Sequence, residues 1–501
     1  MIFLVALFLT LWFWRRNLKD ASVWMIATYA GLGLMVWTNY QSASALDDAF
    51  PEIIRDFLLI GMVGLVQSLA AARRIPVWLA ILLTLGMFTF VHLWDEEGSP
   101  FVAEENVEIL NGQYDPNGEY LVELVEGTDP SAFLRKVEKM GGTATAAFFP
   151  ADGQSTLLDN YFVVDVTDVS IASVAFKTDS DVEWFEYNEI IEVVPMVSQS
   201  DHAIDRREPG LSINDPETAQ QWAMRVLNMN DYYRVLGQST PVKTAKIAIL
   251  DTGVDSRHED IGDNYFSIDA KYDNDPVGHG THCAGIAAGV TNNGIGIGSL
   301  AGSGERNFVE ITSIKVLNAS GMGTQKSIVA GIIEATDEGM DVISLSLGGP
   351  SNQSRQRAYS QAIKYATRHG AIVVAAAGNS SRNAKDYSPA NANGMITVVA
   401  VDEQLKRAVF SNTVEDVKQG IAAPGVAIYS TTPDNNYKFY SGTSMACPFV
   451  AGLLGTMRAV NPDLTSREAY AILKKTGIDG EEVKLTGRIV QPAAALRAAS
   501  K

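Results

Sequence analysis

The chain has 501 residues, a formal net charge of −19, 47% hydrophobic residues and two cysteines, Cys283 and Cys447. That length exceeds one ordinary core and predicts two or three folded units. The negative balance excludes a nucleic-acid partner, which would need clustered Lys and Arg, and two thiols exclude a disulfide-built scaffold.

Residues 1–94 are far more apolar than the rest, in four runs at 1–14, 21–38, 57–72 and 75–94. A spanning helix takes about 17–25 apolar residues; the second and fourth runs supply them, and the shorter two need snorkelling arginines or local thinning. Arg15, Arg16 and Lys19 lie between the first two runs, and Arg73 and Arg74 between the last two. Residues 95–134 hold eleven Asp or Glu and no Lys or Arg. Under the positive-inside rule both basic turns face the cytoplasm and everything after Trp94 lies outside. The expectation is an integral, multi-pass membrane protein of about four helices, with the lipid bilayer as a partner and the folded bulk extracytoplasmic. A signal peptide would carry its charge ahead of the first run, whereas here it follows.

Residues 95–117 read as an acidic tether. Within 118–194, strand patterns at 119–125, 143–149, 161–166 and 182–193 alternate with helices at about 130–140 and 169–177. This β-α-β-β-α-β order predicts a ferredoxin-like α+β domain. Residues 195–214 are polar and punctuated by Pro and Gly, as a cleavable linker would be.

From 215 to 501, unbroken apolar strands are expected at 246–250, 311–317, 341–347, 370–377 and 395–401. Helices are expected near 280–289, 326–339, 355–369 and 445–459. Such an alternation predicts an α/β fold, a parallel sheet sandwiched by helices, with a site at the carboxyl ends of its strands. Three motifs fall there: ILDTGVD (249–255), GHGTHCAG (278–285) and SGTSMACPFVAG (441–452). A serine hydroxyl becomes a nucleophile when an imidazole takes its proton, and a buried carboxylate orients that imidazole. Ser444, His279 and Asp251 supply these groups. The start of an apolar helix at Ser444 also favours developing negative charge.

These motifs, in the order Asp, His, Ser, closely resemble those of the subtilisin-like serine proteases over about residues 215–498. The resemblance implies a serine endopeptidase acting on proteins or peptides, with no cofactor for catalysis. It places Asn379, at the end of AAAGN, in the oxyanion hole, and Ser346, Leu347, Gly348 and Gly349 on a strand that binds extended substrate. It implies a structural Ca²⁺ site built from the side chains of Asp260 and Asn293 and the carbonyls of Ile295 and Ile297, with Gln220 or Gln221 as a further ligand. Residues 118–194 resemble the family's inhibitory propeptide, down to Gly141 and Gly142 after the first helix. The protein would then be made as a zymogen inhibited by its own propeptide. Asp255 and His282 match supporting positions of the motifs, Cys283 matches a packing position, and Cys447, one helical turn past Ser444, reads as a buried free thiol. The competing reading is a catalytically silent, peptide-binding membrane scaffold.

Overall fold

The computed structural model describes residues 120–151, 156–193, 196–197, 212–302, 308–351 and 357–500, together with Val66 and Pro76. The four apolar runs apart from Val66 and Pro76, the acidic tether, and residues 195 and 198–211 of the linker lie outside the described residues. Among the described residues no helix is long and apolar enough to cross a membrane.

The first domain is an antiparallel sheet with two helices. Its elements are β1 (Tyr120–Leu124), α1 (Pro130–Lys139), β2 (Thr143–Ala146), β3 (Tyr161–Asp165), α2 (Val169–Thr178) and β4 (Val182–Tyr187). The strand order is β2-β3-β1-β4. Asp129 and Asp168 cap the two helices through bonds to Ser131 N and Ile171 N. Capping of this kind satisfies first-turn N–H groups and contributes about 1 kcal/mol each. Phe133, Val137, Phe162, Ala172 and Phe176 close the core over Tyr120.

The run at 182–193, expected as one strand, is two. β4 ends at Tyr187, and β5 (Ile190–Glu192) leaves the first sheet to pair antiparallel with β9 (Met322–Thr324) of the second domain. The physical reason is Asn188, whose Oδ1 accepts from Lys326 N at 2.9 Å and turns the chain. β6 (Met196–Val197) then pairs with β17 (Asn436–Ser441), Met196 opposite Ser441.

The second domain is built on a six-stranded parallel sheet in the order β15-β14-β12-β10-β7-β8. Its strands are β7 (Ala245–Asp251), β8 (Val309–Lys315), β10 (Val342–Leu345), β12 (Ile372–Ala376), β14 (Ile396–Val401) and β15 (Gly420–Pro424). One layer of helices contains α3 (Met229–Gln238), α4 (His279–Ala288), α7 (Thr443–Val460), α8 (Ser466–Thr476) and α9 (Pro492–Ala499). The other contains α5 (Gln325–Asp337) and α6 (Arg357–Arg368). Residues buried on both sheet faces explain the unbroken apolar strands. Of the 18 residues of α7, all except Val460 are buried, so this helix is the axis of the domain.

Candidate active site

The carboxyl ends of β7, β10 and β12 converge on the start of α7. Asp251 is the last residue of β7, Ser346 follows β10, and Asn379 lies three residues past β12. Gly253 turns the chain sharply after Asp251 at φ 118°, where a Cβ would lie 2.0 Å from Asn274 O. No other residue type fits that turn.

His279 opens α4. Its Nδ1–H donates to Asp251 Oδ1 at 2.8 Å and Oδ2 at 2.9 Å, leaving Nε2 as the proton acceptor. Asp251 is fully buried and also accepts from Thr252 N at 2.7 Å. Burial by itself would lower the imidazole pKa, but the charge and hydrogen bond of Asp251, with Asp275 farther off, outweigh it and the net shift is upward. The imidazolium is therefore stabilised where a general base needs it to be.

Ser444 stands in the first turn of α7, so its N–H is one of the donors that a helix start leaves without an internal partner. Its hydroxyl donates to Ser346 O at 3.0 Å, and no hydrogen bond joins it to His279. One step to another staggered χ1 well moves the hydroxyl off Ser346. Asn379 is solvent-exposed. Its Oδ1 accepts from Thr443 N and Thr443 Oγ1, each at 2.9 Å, which fixes the amide with Nδ2 available for an incoming oxygen.

Of the residues assigned to the substrate strand, Ser346 and Leu347 are buried, so they face inward. Ser346 also braces Ser444 from both sides, since its Oγ donates to Ser444 O at 2.8 Å. Gly348 and Gly349 are partly exposed, and β11 (Gly349–Pro350) pairs with β13 (Tyr387–Ser388). A Cβ on Gly349 would lie 3.0 Å from Ile191 Cδ1, so this edge and β9 flank β5.

Asp275 is a residue that sequence reasoning missed. Its carboxylate accepts from Thr252 Oγ1, Val277 N, Gly278 N, Thr281 N and Thr281 Oγ1, all within 3.1 Å. It thus caps the helix that carries His279 and ties it to the turn after Asp251. An Asp four residues before a helix-opening His was a readable capping signal. Asp255 and His282 are supports, as expected. Asp255 Oδ2 accepts from Asp434 N at 3.0 Å, and His282 stacks on Tyr440 while bonding Lys438 O. Cys283 and Cys447 are free and buried.

The loop assigned to calcium is assembled. Asp260 is fully buried, and its oxygens accept from Asn293 Nδ2 at 3.0 Å and Ile297 N at 2.7 Å. Burial pushes its pKa up to about 7. Asp215, also buried, accepts from Asn292 N and Asn293 N. Among the described residues no cationic side chain pairs with either carboxylate. Two buried carboxylates in an oxygen-rich loop suit a hard cation, provided the Asn293 amide turns its oxygen inward. Gln221 is not free to join, because its amide bonds both N and O of Gly298.

A carboxylate-oriented imidazole on one helix, a serine at the start of the helix packed against it, and a side-chain amide fixed beside that start are the groups of a serine hydrolase site. The profile of the subtilase family (peptidase S8) matches residues 242–490. Thermitase of Thermoactinomyces vulgaris is 45% identical over 220 residues, covering 42% of this chain and 74% of thermitase. Subtilisin DY of Bacillus licheniformis is 40% identical over 250 residues, covering 48% and 87%. A thermophilic serine proteinase of Bacillus sp. strain AK1 is 33% identical over 362 residues, covering 71% and 81%. The solved structure of a protease from Pseudoalteromonas arctica PAMC 21717 superposes with a TM-score of 0.51 at 30% identity, covering 57% of this chain and 99% of that one. This chain belongs to the subtilase family and is a serine endopeptidase.

Proposed function

We propose that the chain is a membrane-anchored, self-inhibited subtilase in which Ser444 is the nucleophile, His279 the general base and then acid, and Asp251 the orienting carboxylate. The paired bonds from His279 Nδ1 to Asp251 carry this reading. Ser444 Oγ gives its proton to Nε2 and bonds the substrate carbonyl carbon, and the oxyanion takes hydrogen bonds from Asn379 Nδ2 and Ser444 N–H. His279 returns the proton to the departing amine, and water then releases the acyl group by the same route. Substrate lies in extended form along β9 and the edge at Gly348 and Gly349. Calcium, held by Asp260 and Asn293, would neutralise buried charge beside α4.

Self-inhibition is supported by the path of the chain. Val193 N donates to Gly321 O at 2.9 Å on one side of the site. On the other side Met196 pairs with Ser441, three residues before Ser444. Only Val194 and Pro195, outside the described residues, join them. While β5 holds β9, no other polypeptide can pair there. On this reading the maturation cut falls between Val193 and Met196. The match to the strain AK1 proteinase is also too long to fit after residue 242 and extends into the first domain.

The membrane anchor rests on the runs within residues 1–94. Expression of the full chain and of Ser444→Ala tests the whole reading. Wild type should carry a new N-terminus between residues 194 and 196, leave the anchor in the membrane fraction and hydrolyse casein. The variant should stay whole and inactive. Labelling of Ser444 by a fluorophosphonate separates this from the silent scaffold, which the intact set of Asp251, His279, Ser444 and Asn379 does not favour.

A further inference from the structure

Helices α5 and α6 each precede a strand of the parallel sheet, so they run in the same direction and present their N-termini together. The first domain meets them with carboxylates. Glu186 is buried, and it accepts from Arg357 N at 3.1 Å, Ala358 N at 3.0 Å and Gln325 Nε2 at 2.8 Å. Glu189 O accepts from Gln325 N at 2.8 Å, beside the Asn188 bond to Lys326 N. The side chain of Arg357 forks onto Glu123, Nε to Oε2 at 2.7 Å and Nη2 to Oε1 at 3.1 Å, and Nη2 reaches Glu183 at 3.3 Å.

Arg357 is the first residue of α6. A cation at a helix N-terminus works against the helix dipole. Its placement makes sense only against facing carboxylates, and a planar guanidinium selects them by geometry as well as charge. Val193, whose N–H bonds Gly321 O, lies seven positions after Glu186 and three before Met196, which pairs with Ser441 near the start of α7. This chain itself demonstrates that such a length of polypeptide spans the two points.

We propose that Arg357 and the first-turn N–H groups of α5 and α6 form an exosite for acidic polypeptide. It is held in cis by Glu123, Glu183 and Glu186, and in trans it takes substrates with a carboxylate about seven residues upstream of the position that pairs with Gly321. This rests on the self-inhibition reading, because the exosite opens only when the first domain leaves.

The test uses the matured full-length enzyme and two long fluorogenic peptides that differ only in Glu or Gln at the position matching Glu186. Hydrolysis of a four-residue substrate, too short to reach Arg357, is the internal reference. Hydrogen bonds to a charged group are worth about 1.5–3 kcal/mol, so the Glu peptide should have a kcat/KM about tenfold or more higher, through KM. Arg357→Ala should bring that ratio near one, and Arg357→Lys should keep part of it. A ratio near one in wild type, or one that survives Arg357→Ala, overturns the exosite. Absence of turnover on the short substrate would instead defeat the protease reading. The exosite is then decided by trypsin release of the first domain from the Ser444→Ala chain. Release should be several-fold faster with Arg357→Ala added, and equal rates overturn the proposal.

Discussion

The carbonyl of Ser444 and the ring of Pro448 stand one helical turn apart in α7, and the second sets the first free. Proline has no N–H to return to residue i−4. The Ser444 carbonyl therefore accepts from outside its helix, from Ser346 Oγ at 2.8 Å and Cys283 Sγ at 3.4 Å. The nucleophile is tied in this way both to the end of β10 and to the helix that carries His279. Ser346→Ala should cost about 1–2 kcal/mol by leaving that carbonyl under-bonded. In a Pro448→Ala background, where the new backbone N–H can restore the helical bond, the same change should cost less. Denaturant unfolding of the four chains of this cycle reads the coupling, and strict additivity would contradict the account.

Removal of the oxyanion donor should separate chemistry from binding. Asn379→Ala is expected to lower kcat about 10²–10³-fold with little change in KM, a magnitude taken from a subtilisin rather than derived from this geometry. Asp251→Asn should lower kcat about 10⁴-fold by favouring the wrong imidazole tautomer. Steady-state kinetics on a short peptide check both.

The pH profile follows from His279. Its base is usable only when neutral, and its pKa lies above the ordinary 6.5. The acid limb of kcat/KM should therefore have its midpoint above that value, and Asp251→Asn should move the midpoint down. A wild-type limb at or below 6.5 would show that burial, not Asp251, dominates.

Asp260 makes a sign-definite stability prediction. With a folded pKa of about 7 against an ordinary 3.8, the folded chain holds the extra proton between those values. Stability falls as pH climbs through that window, and the full cost stands above it. Bound calcium offsets this cost, by about 2.7 kcal/mol when it exceeds its Kd about 100-fold. The gap in Tm between calcium and chelator should widen from about pH 5 to about pH 8, and Asp260→Asn should shrink it. A gap that is flat with pH would refute the assignment.

Asp275→Ala should strip five donors of their acceptor at once. Buried donors left unmet and a lost helix cap together predict a loss of about 2–4 kcal/mol. Thermal unfolding in the Ser444→Ala background, which prevents self-digestion, measures it. Asp275→Asn should recover part of the loss.

Much of this architecture is written locally. Unbroken apolar runs announce β7, β8, β10, β12 and β14 because each is buried on both faces. β15, GIAAP, is hidden because its small residues and flanking Gly and Pro read as loop. Helix α8 is absent from the expected elements although Thr465 and Glu468 form a capping box ahead of it. The motifs single out Asp251, His279, Ser444 and Asn379 as the residues on which the proposed mechanism rests, because such chemistry restricts residue type at those points. The bracing role of Ser346 and the turn at Asn188 depend on partners about a hundred residues away or more, and local pattern carries no record of such contacts.

Cys283 and Cys447 have no solvent exposure, and burial raises both thiol pKa values, Cys447 to about 12. A reagent in water can reach neither while the domain stays closed. Each alkylation event thus timestamps an opening of the centre of the molecule, and the labelling rate becomes a clock for the lifetime of the protease under the conditions in which it works.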